Sequence, residues 1–304
     1  MATPNKCLLC KADNSKQSVA TAHVYGDKTN SKAFFHCSVC DVFYQYPPLS
    51  RSEEKLFYEQ EFEAFMASRS GENSGWLNAQ KHIYANEQTK IRRLEYLNRY
   101  LETADDILEF GCSSGFMLEH FKELGKNCFG IEPSGAFYDF LKNKFNVFRD
   151  METLTTNHPT QKYDLILHFF VLEHVSDPIN FLKEQINMLK PGGRIIFEVP
   201  NVADPLYSVF DVPSFERFYW SVAHPWYFSE KSLEFVLSAV PVKYRVLLDQ
   251  RYDLSNHITW ALTGQPGGNG KYTKMLGEEL EKNYKEGLKK VRKCDTLIAI
   301  LEME

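Results

Sequence analysis

The sequence has no long hydrophobic run: no stretch of its 304 residues approaches the roughly 18 consecutive apolar residues that a membrane-spanning helix needs. The opening segment, MATPNKCLLC, lacks the apolar core of a secretory signal, so the chain is expected in the cytosol. Positive charge is not in excess either. With 35 Lys and Arg against 40 Asp and Glu, the net charge is -5 and the pI about 6.0, so no global field draws nucleic acid, although a local basic patch stays open. Internal repeats and low-complexity tracts are also missing. What remains is ordinary for a globular protein, 43% hydrophobic and 25% charged, with room for one large domain and a small one.

Cysteine is sparse, seven residues in all, yet four of them form two matched knuckles, Cys7-x-x-Cys10 and Cys37-x-x-Cys40. Each knuckle presents two thiolates to one ion, a spacing that suits a tetrahedral structural zinc. Four protein ligands leave no open coordination position, so such a zinc folds its segment and does no chemistry. A redox CxxC and a disulfide pair are the weaker alternatives, because the pairs are matched and the expected compartment is reducing. Residues 1–48 therefore read as a zinc ribbon closed by Pro47-Pro48, a segment too small to hold a core without a staple. Cys112, Cys128 and Cys294 read as packing residues.

The chain is organised around Asp106 to Ser134. A short apolar strand, Ile107 to Phe110, leads into the turn Gly111-Cys112-Ser113-Ser114-Gly115; a helix with Phe116, Leu118, Phe121 and Leu124 follows. Gly125 stops that helix, and a second strand, Cys128 to Ile131, ends in Glu132. Glycines let the backbone approach a ligand closely, the helix N-terminus offers free N–H groups, and a carboxylate at the strand tip suits the two hydroxyls of a ribose. A dinucleotide site usually shows GxGxxG; here Phe116 stands where the third glycine would fall, which argues against NAD or FAD.

This stretch resembles the first motif of class I S-adenosylmethionine (SAM)-dependent methyltransferases. The resemblance implies that Glu109, Gly111, Cys112, Ser113 and Gly115 border the methionine moiety of SAM. It also implies that Glu132, followed by Pro133, takes the ribose diol, and that Asp150 and Met151 flank the adenine; a helix N-cap is the equally weighted alternative for Asp150. Further on, Tyr163-Asp164-Leu165-Ile166, Leu172-Glu173-His174-Val175, Asp177-Pro178 and Leu189-Lys190-Pro191-Gly192-Gly193 resemble the fourth and fifth strand units of the same family. Ligands of doubly wound sheets bind at the strands' C-terminal ends, so His168, Phe169 and Phe170 are expected to face SAM. Glu173 and His174 invite a metal or acid/base role, but related ubiquinone-pathway O-methyltransferases carry another acid where Phe170 stands, which favours a structural role at a helix start.

Residues 200–240 are dominated by Pro and aromatics, with Tyr219, Trp220, Trp226, Tyr227 and Phe228 around His224, as the wall of a substrate pocket would be. Sugar C-methyltransferases with an N-terminal zinc ribbon resemble this arrangement, including a His shortly before Tyr-Phe-Ser. Ser221, however, occupies the place of a Tyr three residues before that His. His224 is the first candidate base, a hydrogen-bonded wall histidine being the equally weighted alternative, with Tyr219, Tyr227 and His257 behind it; a surface or capping role is the alternative for His257.

These features predict an α/β fold: a doubly wound, seven-stranded Rossmann-like methyltransferase sheet with a small N-terminal zinc ribbon. The expected divisions are 1–48, a helical linker or lid over 49–100, and a SAM-binding domain over 101–304 with insertions at 200–240 and 254–293. Composition makes Ser68 to Gly75 the flexible part of the lid. The expected cofactors are SAM and structural zinc, and the expected partner is a small-molecule acceptor, a sugar nucleotide or glycan precursor. An RNA methyltransferase that contacts nucleic acid through its ribbon, a non-catalytic SAM-fold interaction module and a nicotinamide-dependent oxidoreductase are the competing readings; the first lacks the cationic contacts that phosphates need. Acceptor identity, the methylated atom and the oligomeric state are left open.

Overall fold

A computed structural model describes residues 2–49, 53, 56–70, 76 and 78–304. The helix start expected at Ser52 and residues 71–75 of the expected lid lie outside the described residues.

The N-terminal segment forms strands β1 (Gln17–Thr21), β2 (Ala33–Cys37) and β3 (Phe43–Tyr46). The central part forms β4 (Asp106–Phe110), β5 (Asn127–Ile131), β6 (Asn146–Phe148), β7 (Tyr163–Phe169) and β8 (Leu189–Pro200). A short β9 (Trp226–Tyr227) precedes β10 (Lys243–Asp249) and β11 (Thr296–Glu302). The large sheet has the order β10-β11-β8-β7-β4-β5-β6, with β11 antiparallel to both neighbours and the rest parallel. From β4 the chain runs outward through β5 and β6, then returns to place β7 on β4's other side. The order therefore reverses between β4 and β7, and the crevice beyond their C-terminal ends is where a ligand fits such a sheet.

Both faces of the sheet are covered, so β7 reads as a nearly continuous apolar run. On one face the helix Glu87–Leu101 packs Leu97, Tyr100 and Leu101 against Ile107, Leu165, Leu167 and Ile196. On the other, helices Pro178–Ile186 and Glu230–Ser238 pack against Ile166, Ile195 and Phe197. The single helix expected up to Leu101 is two helices, Ala79–Ala85 and Glu87–Leu101. Asn86 separates them: its side chain donates to the His82 carbonyl at 2.9 Å, competing with the helical backbone.

The small sheet has the order β1-β2-β3-β9, so the ribbon borrows its fourth strand from the 200–240 insertion. Further backbone bonds stitch the same insertion to the ribbon: Tyr25 N–H to the Trp220 carbonyl, Val222 N–H to Tyr25, and Gln45 N–H to Pro225. The ribbon's buried residues Phe35 and Tyr44 belong to the same core as Trp226, Phe228 and the sheet face of Ile166. Among the described residues, no helix is long and apolar enough to cross a membrane.

Candidate active site and metal centre

The turn after β4 needs its glycines for two reasons. Gly111 and Gly115 have φ of +65° and +76°, and a Cβ on Gly115 would lie 2.6 Å from a Leu141 methyl carbon. Ser113 also adopts positive φ, +46°, which points its N–H at Glu132. Both Glu132 oxygens are held by backbone: Oε2 accepts from Ser113 N at 2.6 Å and Oε1 from Ser134 N at 2.8 Å. Burial pushes this carboxyl up to about 7 despite those two donors. Glu109 is also buried, its Oε2 has no partner, and burial pushes it up to about 8. Cys112 is buried beside the same turn, whereas Pro133 is exposed.

Two expected cofactor residues lie differently. His168 is fully buried, stacked on Phe197 at 4.4 Å and edge-on to Phe181, with both ring nitrogens unpartnered. Strand alternation is the reason: Leu167 and Phe169 face the helix Glu87–Leu101, and His168 faces the opposite core. His168 therefore lies on the opposite side of the sheet from Leu167 and Phe169, against Phe181 and Phe197. Asp150 is an exposed N-cap whose Oδ1 accepts from Thr153 N at 2.7 Å, with Met151 half-buried behind it. Phe170, just past β7, has φ of +58° and carries the Arg251 guanidinium over its ring at 4.3 Å.

Three segments that the sequence did not mark reach the turn. Arg93 is buried over the Phe169 ring at 3.9 Å, with Nε 3.3 Å from Glu198, and its charge bears on Glu109. His82 Nδ1 meets Ser114 Oγ at 2.8 Å, and Trp76 packs on His82 and Phe137. Glu63 accepts from Ala136 N at 2.9 Å and from Ser134 Oγ, closing the helix Phe62–Ser70 against the residues that follow Glu132. Arg93 sits four residues before Leu97 on the buried face of its helix, a charge on an apolar stripe that spacing alone could have flagged. Glu63 and His82 carry no such local signal.

A second group of side chains gathers beyond β7. The 3-10 turn Leu172–His174 brings in Glu173 and His174, and the insertion brings His224. His174 and His224 stack edge-to-face at 4.7 Å. His174 Nδ1 lies 2.6 Å from the Ala223 carbonyl and 2.9 Å from the Tyr58 hydroxyl. A carbonyl at that distance assigns the proton to Nδ1 and leaves Nε2 a lone pair. For His224, Nδ1 lies 3.1 Å from the Tyr227 hydroxyl, which donates to the Tyr219 carbonyl and accepts from Ser221 N. The phenolic proton being committed, His224 Nδ1 donates and its Nε2 also keeps a lone pair. Tyr219 is buried with its hydroxyl bonded to the Asn201 carbonyl at 3.0 Å. His257 has other neighbours, Tyr284 and Phe210.

Glu173 is fully buried, neither oxygen has a donor, and burial pushes it up to about 8. Its oxygen and the two imidazoles lie within 4.8 Å of one another, close enough to share an ion. Arg69 and Arg251 bear on the same groups, however, and their positive charge opposes a second cation there.

The cysteine cluster has the opposite character. Cys7, Cys10, Cys37 and Cys40 place their sulfurs within 4.8 Å of one another, with 3.8 Å between Cys7 and Cys40 and 3.6 Å between Cys10 and Cys37. Thiolates about 2.3 Å from a tetrahedral zinc stand about 3.8 Å apart, so these four fit that ion. Gln17 Nε2 lies 3.5 Å from Cys37 Sγ and is itself fixed by the Tyr44 hydroxyl at 3.0 Å, an outer layer that orients the ligand.

The model of a methyltransferase domain family matches residues 76–240, just over half of the chain. The chain belongs to that methyltransferase family. A ubiquinone biosynthesis O-methyltransferase of Coxiella burnetii is 30% identical over 118 residues, 36% of this chain and 50% of that protein. A protein of the same name from Nitrosospira multiformis is 30% identical over 118 residues, 36% of this chain and 49% of its own length. The chain spans about half the length of the curated relatives it matches. A SAM-dependent methyltransferase of Archaeoglobus fulgidus shares the fold, with a TM-score of 0.51 at 19% identity, covering 80% of this chain and 100% of the other. The matched region of the methyltransferase domain runs from Trp76 to Val240. It therefore takes in the glycine turn, Glu132, Glu173 and His224, but neither the cysteine cluster nor the helix that carries Glu63 and Arg69.

Proposed function

We propose that the protein transfers a methyl group from SAM to a small-molecule acceptor, a sugar nucleotide or related glycan precursor. The observation that carries the donor assignment is Glu132, a buried carboxylate set by two backbone N–H groups at the tip of β5, beside a turn with Gly111 and Gly115 in the left-handed region. SAM supplies an electrophilic methyl on a sulfonium, which an acceptor lone pair displaces in line to leave S-adenosylhomocysteine. The remaining lone pairs of Glu132 take the ribose hydroxyls. Arg93, buried near Glu109 and paired through Nε alone, offers its other nitrogens to the methionine carboxylate.

On the acceptor side, His224 Nε2 takes the proton that the nucleophile loses, while Tyr227 fixes its ring and tautomer. Tyr219 holds backbone and His257 stands apart, so neither is assigned a step. The aromatic walls around His224, including Trp220 and Tyr227, keep water from the reacting atoms. Zinc in the four-cysteine site makes the ribbon, and the strand it shares with the insertion, a fixed wall of this pocket.

Incubation with methyl-labelled SAM and a panel of nucleoside diphosphate sugars tests this reading. Wild type should label an acceptor, and His224→Ala should lower the rate about 10²–10⁴-fold while S-adenosylhomocysteine still binds. Cofactor binding without label on any sugar nucleotide would contradict the acceptor class.

A further inference from the structure

We propose that Tyr58 and Glu63 are positioning residues, which make one helical segment the strap that sets His224 against Glu132 and couples the base to the cofactor. The proposal rests on the methyl-transfer reading of that site and deepens it by naming what keeps its two halves in register.

The segment opens on a wide turn, Phe57–Glu61, in which Phe62 N–H bonds to the Phe57 carbonyl five residues back, and continues as the helix Phe62–Ser70. Wide turns of this kind are rare and gather at functional sites. Tyr58 and Phe62, four residues apart, both meet His174, while Glu63 meets the residues that follow Glu132. Both Tyr58 and Glu63 precede Trp76, where the matched methyltransferase region begins.

On the acceptor side, the Tyr58 hydroxyl donates to the Ala223 carbonyl at 3.1 Å and lies 2.9 Å from His174 Nδ1. His174 Nδ1 reaches the same carbonyl at 2.6 Å, so two elements direct one peptide group. That peptide also carries the His224 N–H, which bonds to the Ser221 carbonyl at 3.0 Å; its orientation sets where the His224 ring starts. Tyr58 and Phe62 stand edge-on to His174 at 5.8 and 5.9 Å, and His174 stands edge-on to His224 at 4.7 Å.

On the cofactor side, Ser134 lies between two carboxylates. Its N–H goes to Glu132 Oε1 at 2.8 Å and its hydroxyl to Glu63, which also accepts from Ala136 N–H at 2.9 Å. A second link runs through rings. Phe62 packs on Trp76 at 5.6 Å and Trp76 on His82 at 5.1 Å, and His82 Nδ1 meets Ser114 Oγ of the glycine turn at 2.8 Å. Contacts therefore run unbroken from His224 to Glu132 through a single short segment. Packed rings and charge-assisted bonds tolerate little displacement, so moving one end of the strap moves the other. In-line transfer needs the reacting atoms about 3–3.5 Å apart, a spacing that neither half sets alone.

The test is calorimetry of S-adenosylhomocysteine binding to the full zinc-loaded chain, comparing wild type, Tyr58→Phe, Glu63→Ala and the double variant. Glu63→Ala should weaken binding about tenfold. Tyr58→Phe leaves every cofactor-side contact in place, yet it should weaken binding about threefold. The two losses should not multiply: once Glu63 is gone, removing the Tyr58 hydroxyl should change affinity by less than about 1.5-fold. Glu63→Gln, which keeps an acceptor oxygen, should recover part of the loss and replaces Glu63→Ala in the cycle if that variant does not fold. Lys243→Gln, on the exposed edge strand, should change nothing. A second reading uses histidine-labelled, cofactor-free protein, with the His224 ring signals assigned by their absence in His224→Gln. They should move in Glu63→Ala, although Glu63 bonds to Ser134 and Ala136 on the other side. Unchanged affinity in Tyr58→Phe, losses that multiply, or His224 signals that stay in place would overturn the strap. If wild type does not bind S-adenosylhomocysteine, the methyl-transfer reading falls, and the His224 signals alone decide the strap.

Discussion

Glu132 and Glu173 are buried carboxylates beyond the ends of β5 and β7, and the protein treats them differently. Glu132 receives two backbone N–H groups; Glu173 receives none. The Glu132 carboxylate is thus set by main chain before any ligand arrives, although Glu109 beside it keeps an unpartnered Oε2. Around Glu173, by contrast, neither carboxyl oxygen has a donor and the His174 and His224 imidazoles keep Nε2 lone pairs, which leaves that group open to a ligand. A pocket of the first kind selects its ligand by rigid shape, and one of the second kind by charge and donor balance.

Metal removal should separate the two regions most strongly. Structural zinc in small domains is worth about 10–16 kcal/mol of apparent binding energy, so chelation should unfold the ribbon and release β9 with it. Tryptophan fluorescence from Trp220 and Trp226 should change accordingly, while S-adenosylhomocysteine binding persists, since among the described residues neither Glu132 nor its turn bonds to the ribbon. Loss of both together would merge what the structure keeps apart.

Within the cofactor side, Glu132→Ala removes two charge-assisted bonds of about 1.5 kcal/mol each, roughly a hundredfold in affinity. Glu173→Ala should leave that affinity within about threefold; equal losses would erase the distinction. A third probe uses pH. The folded Glu173 carboxyl sits at about 8, above its ordinary value of 4.5, so folding favours the protonated form. Its contribution to stability is complete below pH 4.5 and is lost as pH rises through 8. Between those limits wild type should lose up to about 1.4 kcal/mol per pH unit relative to Glu173→Gln in urea unfolding. Parallel curves for the two proteins would show that Glu173 is not buried as described. The smallest effect is expected at the turn, where Gly115→Ala forces a left-handed residue against Leu141 at about 1–2 kcal/mol, read as a lower urea midpoint.

How far each region could be read from sequence follows from how it is assembled. Asp106 to Ser134 is continuous, so strand length and glycine placement fix where Glu132 falls, and the cysteine spacing likewise brings four sulfurs together. His168 was legible in principle, since period two in β7 separates it from Leu167 and Phe169; its position near a strand end outweighed that alternation. His224 was legible as a residue, but not its neighbours. Tyr58, Arg69 and His174 come from two other parts of the chain, and no local period links them to it. Asp150 shows the remaining limit, because a cap and a ligand residue have the same sequence signature at a helix start.

The central claim is that the turn and Glu132 hold SAM, and calorimetry with SAM, S-adenosylhomocysteine and NAD tests it most directly. The account predicts micromolar binding of the first two, no comparable binding of NAD, and roughly hundredfold weakening in Glu132→Ala. NAD bound in preference, or SAM affinity untouched by the substitution, would contradict it.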